Sequence, residues 1–158
     1  MTTANRATVE LLEQQFVLLL DGLHDLVRSV PSDLLYRQPP AITIGENILK
    51  SAGLIEQTCG GITSNLWDDP FEWTLPETLS TSALIIDYLS EVEAVRRLAF
   101  ASFHDDATLL KFVAVPSDNS CRLLELLLQT LTNASEFKGR AVATLKILSD
   151  VSAPRFII

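Results

Sequence analysis

Four segments of this chain place apolar residues at steps of three and four, the spacing of an amphipathic α-helix. Each such helix must bury its apolar stripe, so four stripes in one chain are expected to pack against one another. The stripes are Val9, Leu12, Phe16, Leu19, Leu23, Leu26 and Val30; Ile44, Ile48, Ala52, Ile55, Cys59 and Ile62; Leu84, Tyr88, Val92, Val95 and Ala99; and Leu123, Leu127, Leu131, Ala134, Phe137, Ala141, Leu145 and Leu148.

Turn and capping residues separate the four segments. Pro31 ends the first helix, and Thr43-Ile44-Gly45-Glu46 has the form of a capping box that starts the second. The third helix should begin near residues 80–82, and the fourth should follow the cluster at residues 116–120. These signals set helix lengths suited to a bundle.

The chain of 158 residues suits a single domain, residues 1–158. Alternation of period two, the mark of a half-buried strand, occurs only in residues 107–115, which could form a short strand or a loop packed over the helices. We therefore predict an all-α fold, an antiparallel four-helix bundle.

The charge of the chain argues against two classes of partner. Acidic residues outnumber basic ones by 20 to 12, and the net charge of -8 would repel nucleic acid and anionic membranes. The nearest basic group is Lys138, Arg140 and Lys146, which we interpret as a solvated helix face with ordinary charge pairs. No apolar run is long enough to span a bilayer and the first residues are polar, so we expect a cytoplasmic protein.

The cysteines and tryptophans of the chain are expected to have structural roles. Two cysteines, Cys59 and Cys121, do not make a disulfide framework and are expected to behave as small buried hydrophobic residues. Trp67 and Trp73 lie in an irregular segment and are expected to cover one end of the core.

Two short motifs and their order resemble the DinB/YfiT-like superfamily of four-helix bundles. The carriers are Thr43-Ile44-Gly45-Glu46-Asn47-Ile48-Leu49 at the entry to the second helix and Glu136-Phe137-Lys138-Gly139-Arg140-Ala141 in the fourth. Family members show a Ser-X-X-Glu start followed by a His, then a late His-X-X-X-His that runs into Arg-Gly-Gln. The resemblance covers almost the whole chain.

This resemblance implies a metal site whose ligands this chain lacks. In the family one His from the second helix and two from the fourth bind zinc or nickel, and two His four residues apart share a helix face. The corresponding positions hold Lys50, Asn133 and Phe137, with Glu136 beside them. We therefore predict a degenerate site without a metal or other cofactor, and a vestigial pocket formed by these four residues.

Other ligand sets remain open. His24 and His104 are the two histidines, and either could bind a metal with Asp25, Asp105 or Asp106, although a single His beside acids is more often a surface group. Carboxylates on two helices could also converge, but the Glu-X-X-His repeats of diiron bundles are absent. These carboxylates are Glu46, Glu56, Glu125 and Glu136.

Three functions fit these features. The first is a non-catalytic bundle that binds a small molecule or a protein partner, as a homodimer. The second is a metal-dependent hydrolase or a transferase using a low-molecular-weight thiol, with a relocated site around Lys50, Asn133 and Glu136. The third is a structural subunit, because Leu124, Leu126 and Leu128 widen the apolar stripe of the fourth helix and could make a second contact.

Overall fold

The computed structural model describes residues 4–117 and 119–149, and this part of the chain is mostly helical. Its α-helices are α1 (Ala7–Ser29), α2 (Ile44–Ser64), α3 (Ser82–Ala101) and α4 (Leu123–Leu148). Short 3-10 helices lie at Pro70–Glu72 and Asp106–Leu110, and two strands, β1 (Phe112–Ala114) and β2 (Ser120–Arg122), form an antiparallel pair. The predicted helical class is confirmed, and the small sheet is an addition to it.

The helix starts follow the predicted capping signals. At α2 the Thr43 hydroxyl accepts the Glu46 backbone N–H at 3.2 Å, and the Glu46 carboxylate accepts the Thr43 N–H at 2.8 Å. At α3 the Thr81 hydroxyl accepts the Leu84 N–H at 3.3 Å. Both hydroxyls satisfy backbone donors that a helix leaves without a partner in its first turn.

Apolar residues of all four helices join one hydrophobic cluster. The predicted stripe of α1 is buried along its whole length, from Val9 to Val30. Helix α2 packs most extensively against α4 and then α3, while α1 packs mainly on α3 and touches α4 over a smaller area. The narrow α1–α4 contact leaves room for a cavity between these two helices.

Two hydrogen bonds join α2 and α4 inside the core. The Ser51 hydroxyl donates to the Ala134 carbonyl at 2.7 Å, and the hydroxyls of Thr58 and Thr130 lie 2.7 Å apart. All four residues are buried. Buried polar groups of this kind need a partner, so these two bonds fix how α4 sits on α2.

Helix α3 buries most of its predicted apolar stripe and also a charged residue outside it. Leu84, the first residue of the stripe, is 40% exposed, whereas Arg96, which the stripe does not include, is 3% exposed. The Arg96 guanidinium donates to Glu13 of α1 at 2.5 Å and also pairs with Glu93. A buried guanidinium needs such carboxylates, and here one of them comes from another helix.

The ambiguous segment at residues 107–115 forms a 3-10 helix followed by β1. Its Leu109 side chain is buried in the core. Just before it, the Asp106 carboxylate accepts the backbone N–H groups of Thr8 and Val9 at 2.9 and 3.0 Å, which holds this segment to the start of α1. Within residues 4–117 and 119–149, no helix combines the length and apolar character needed to cross a membrane.

Candidate ligand cavity and the predicted site

Lys50 and Phe137, two residues of the predicted vestigial pocket, meet between α2 and α4. The Lys50 ammonium nitrogen lies 5.7 Å from the centre of the Phe137 ring and 5.8 Å from the centre of the Phe71 ring. A cation at this distance from aromatic faces is attracted by their negative π surface. Both Lys50 and Phe137 are half-buried. An aromatic ring and an ammonium group thus stand where the resemblance would put metal ligands.

Glu136 and Asn133 take up other positions. Glu136 is exposed and forms an ion pair with Arg140, whose guanidinium lies 5.2 Å from the Phe137 ring centre. Asn133 is exposed on the same helix. Among the residues that the structure describes, Lys50 contacts Phe137 but has no ion pair with Glu136 and no hydrogen bond to Asn133.

The two histidines lie apart from any set of metal ligands. In the described part of the chain, no group of three His, Cys, Asp or Glu side chains converges as metal ligands would. His104 is exposed, and the neighbouring Asp105 caps the following 3-10 helix by accepting the Thr108 N–H at 2.9 Å. His24 is half-buried, and its buried Nδ1 has no hydrogen-bond partner among residues 4–117 and 119–149.

The four carboxylates that could have converged each have a separate role. Glu46 caps α2, Glu125 accepts the Arg122 N–H at 3.1 Å at the start of α4, and Glu136 pairs with Arg140. Glu56 accepts a hydrogen bond of 2.5 Å from the Tyr88 hydroxyl. Glu46 and Glu125 thus lie at helix starts, Glu136 lies on the surface of α4, and Glu56 lies between α2 and α3.

A cavity with a volume of about 460 Å³ lies between α1 and α4. Three leucines give it apolar walls, and five polar side chains lie around them. The lining residues are Gln15, Leu18, Leu19, Asp21, Gly22, Asp25, Leu131, Ser135, Lys138 and Gly139. A few polar groups in a mainly apolar concave wall are typical of small-molecule sites.

Lys138 is a buried polar residue in the wall of this cavity. Its side chain is 9% exposed, so the prediction that it belongs to a solvated face is wrong. Burial lowers the pKa of the Lys138 ammonium, because its charge is poorly solvated, and the negative charge of Asp25 acts in the opposite direction. A larger share of this amine is therefore neutral than of an exposed lysine at the same pH.

A glycine in α1 makes room for the Lys138 side chain. A Cβ atom added at Gly22 would lie 2.1 Å from Lys138 Nζ and 2.7 Å from its Cε, closer than atoms can approach. The end of the Lys138 side chain therefore packs directly against the α1 backbone. Asp25, an exposed residue of the same cavity wall, interacts electrostatically with this ammonium group, and Asp21 lines the same wall.

A second cavity of about 260 Å³ lies between α2, α3 and the segment that follows α2. Glu56 lines it, and burial raises the pKa of this carboxyl, an effect partly offset by the hydrogen bond from Tyr88. Trp73 also lines it and is 46% exposed, so it does not seal the core as predicted. Trp67 does pack on α2, since its ring fills the space that a side chain at Gly61 would occupy.

The cysteines are free thiols, and Cys59 is buried in the core. Burial raises the pKa of the Cys59 thiol to about 12, with a smaller opposite effect from Arg96. A thiol with so high a pKa forms little thiolate near neutral pH, and the thiolate is the nucleophilic form. Cys59 therefore acts as a small hydrophobic residue, as predicted.

Sequence reasoning missed Lys138 although it lies next to Phe137. The series Thr130, Ala134, Lys138 and Val142 has a spacing of four residues, and all four side chains are buried. This series could have indicated that position 138 faces the interior.

Comparisons with protein-family models, with curated proteins and with solved structures found no match to this chain.

Proposed function

We propose that this chain is a divergent DinB/YfiT-like antiparallel four-helix bundle that binds a small, uncharged, partly apolar molecule in the cavity between α1 and α4, without a metal. The observation that carries the proposal is the cavity itself. Its volume of about 460 Å³ falls within the range of small-molecule sites, roughly 300–1,000 Å³. The described part of its wall combines leucine side chains with the buried amine of Lys138.

The charges around the cavity indicate what kind of molecule it would accept. Lys138 offers a positive charge and hydrogen-bond donors inside, while Asp21 and Asp25 contribute negative charge to the wall, although Asp25 also pairs with Arg28 at 3.4 Å. An anionic ligand would meet those two carboxylates, and a cationic ligand would meet the ammonium group. A neutral molecule with a hydrogen-bond acceptor and a hydrocarbon part avoids both conflicts.

The absence of a metal at the family position is part of the same proposal. The contact between Lys50 and Phe137 supports it, since an ammonium group repels a metal cation and a phenyl ring offers no lone pair to one. The two parts of the proposal, the lost metal site and ligand binding in the α1–α4 cavity, can be tested independently. Titration calorimetry with zinc and nickel tests the first, and one-to-one binding to the untagged protein would contradict it.

We also place a homodimer and a cytoplasmic location within this proposal. Leu11 of α1 is 63% exposed, and Leu128 of α4 is 46% exposed. Exposed leucine side chains favour burial against a second copy of the chain. Light scattering over a range of concentrations tests the dimer, and a monomer at every concentration would contradict it.

The ligand-binding claim is tested by nuclear magnetic resonance with 1-hexanol as the probe. We expect the probe to shift the amide signals of Gly22 and Gly139, which line the α1–α4 cavity. The matched control is Gly60, which lines the second cavity and should not move. Shifts confined to Gly60, or equal shifts at all three glycines, would contradict the proposal.

A further inference from the structure

We infer that Lys138 forms a reversible imine with an aldehyde or ketone that occupies the cavity between α1 and α4. This inference rests on the proposed function, because it names the chemical class of the ligand and the atom that would react with it. It extends that function from reversible binding to covalent capture of a carbonyl compound.

The first support is the position of the amine. Lys138 belongs to the cavity wall while its side chain is 9% exposed, so a molecule bound there meets the amine in a partly dry environment. The Gly22 backbone packs against Nζ and restricts the end of an otherwise flexible side chain. Holding a nucleophile beside a bound reactant converts a bimolecular reaction into one within a complex.

The second support is the protonation state of the amine. Only a neutral amine has the lone pair that attacks a carbonyl carbon, and burial lowers the pKa of Lys138. Desolvated lysines are therefore better nucleophiles at neutral pH than exposed ones. Lys111 and Lys146 are exposed, so they provide a comparison within the same molecule.

The reaction balances without an oxidant or a reductant. The Nζ lone pair forms a bond to the carbonyl carbon, and the carbonyl oxygen takes up a proton to give a carbinolamine. A second proton reaches that oxygen, which leaves as water while the nitrogen lone pair forms the C=N bond. The two protons come from the Lys138 amine, and Asp25, a carboxylate of the same cavity wall, is the group that we expect to relay them.

The walls select among carbonyl compounds. Leu18, Leu19 and Leu131 favour a hydrocarbon chain or ring. Asp21 and Asp25 disfavour carboxylate or phosphate groups on that chain. We therefore expect apolar aldehydes and ketones to react, and anionic keto acids to react more slowly.

The test is reductive trapping of the full-length protein with hexanal and sodium cyanoborohydride at neutral pH, followed by peptide mass mapping. Cyanoborohydride reduces an imine to a stable amine, so each reacting lysine retains one hexyl group. We expect Lys138 to be labelled about tenfold faster than Lys111 or Lys146, because binding raises the local aldehyde concentration. Unfolding the protein in urea should abolish this preference. Labelling of Lys138 no faster than of Lys146 would overturn the inference.

A competition experiment separates the failure of the inference from failure of the proposed function. The probe 1-hexanol cannot form an imine, and in excess it should slow labelling at Lys138 but not at Lys146. If 1-hexanol shifts Gly22 and Gly139 while Lys138 shows no preference, the imine is wrong and the proposed binding stands. Fast labelling of Lys138 that 1-hexanol does not slow would overturn a reaction inside the cavity.

Discussion

The Lys138 ammonium group occupies the space that a side chain at Gly22 would fill, with 2.1 Å between Nζ and a Cβ atom built on the glycine. A helix interior normally loses stability at a glycine, because the residue gives up more backbone freedom than alanine does. Gly22 therefore has a structural role, which is to let a lysine from α4 lie against α1.

Replacing Gly22 by alanine should stabilise the protein less than replacing Gly139, the matched control. A Cβ at Gly139 meets nothing within 4 Å, so Gly139→Ala should raise the free energy of unfolding by about 0.5–1 kcal/mol through helix propensity. Gly22→Ala gains the same helix propensity, but its added methyl group must displace the end of the Lys138 side chain. Urea denaturation measures both variants, and equal gains would contradict the packing of Lys138 on Gly22.

The burial of Lys138 should be visible in the pH dependence of stability. Because its pKa is lowered on folding, the folded state binds fewer protons than the unfolded state between the two pKa values. The cost of burying its charge is complete below the folded pKa and disappears as the pH rises through the unfolded pKa, about 10.4. The wild type should therefore gain stability relative to Lys138→Met between pH 7 and pH 10.

In the difference in stability between wild type and Lys138→Met, the contributions of other groups that titrate at high pH cancel. Burial raises the pKa of Tyr36 and of Cys59 to about 12 each, which lowers stability in alkali, but both residues are present in either protein. Lys146→Met, which removes an exposed lysine from the same helix, should show no such relative change. A difference between wild type and Lys138→Met that stays constant with pH would rule out the lowered pKa.

Thr43 should contribute measurably to stability as the N-cap of α2. Thr43→Ala leaves the Glu46 backbone N–H without its acceptor and should lower the free energy of unfolding by about 1 kcal/mol. Thr43→Ser keeps the hydroxyl and should lose much less. Denaturant titration of both variants checks this, and equal losses would assign the effect to the threonine methyl group instead of the cap.

Local signals explain which parts of the fold the sequence predicts well. The α1 stripe and the Thr43–Glu46 capping box depend on residues within one helix, and both have the predicted form. The sequence does not predict the burial of Arg96 in α3, because that burial depends on Glu13, which lies on another helix. A charged side chain can be buried only with such a partner, and periodicity within one segment does not reveal it.

The sequence likewise predicts one part of the candidate site and not the other. The resemblance predicts that positions 50 and 137 lie near each other, and Lys50 and Phe137 do meet. The cavity around Lys138 was not predicted, because it depends on a glycine in α1 and on a gap between helices that lie far apart in sequence. Those are properties of tertiary packing, which helix periodicity alone does not specify.

The proposed relationship to metal-binding bundles predicts a gain of function. The triple variant Lys50→His, Asn133→His and Phe137→His would present one imidazole from α2 and two from one face of α4. We expect it to bind one zinc ion, since three imidazoles leave an open position for water. Calorimetry checks this, with Lys50→His alone as the control that should not bind. Failure of a folded triple variant to bind zinc would contradict the proposed relationship.

The most direct test of ligand binding in the α1–α4 cavity fills that cavity from its solvent side. Ser135 lines the cavity and is exposed, so Ser135→Phe places a ring there without disturbing the core. Calorimetric titration with 1-hexanol should show about a tenfold loss of affinity, equivalent to about 1.4 kcal/mol. Ser64→Phe, at an exposed position in the second cavity, should bind as the wild type does. Unchanged affinity in a folded Ser135→Phe variant would contradict the account.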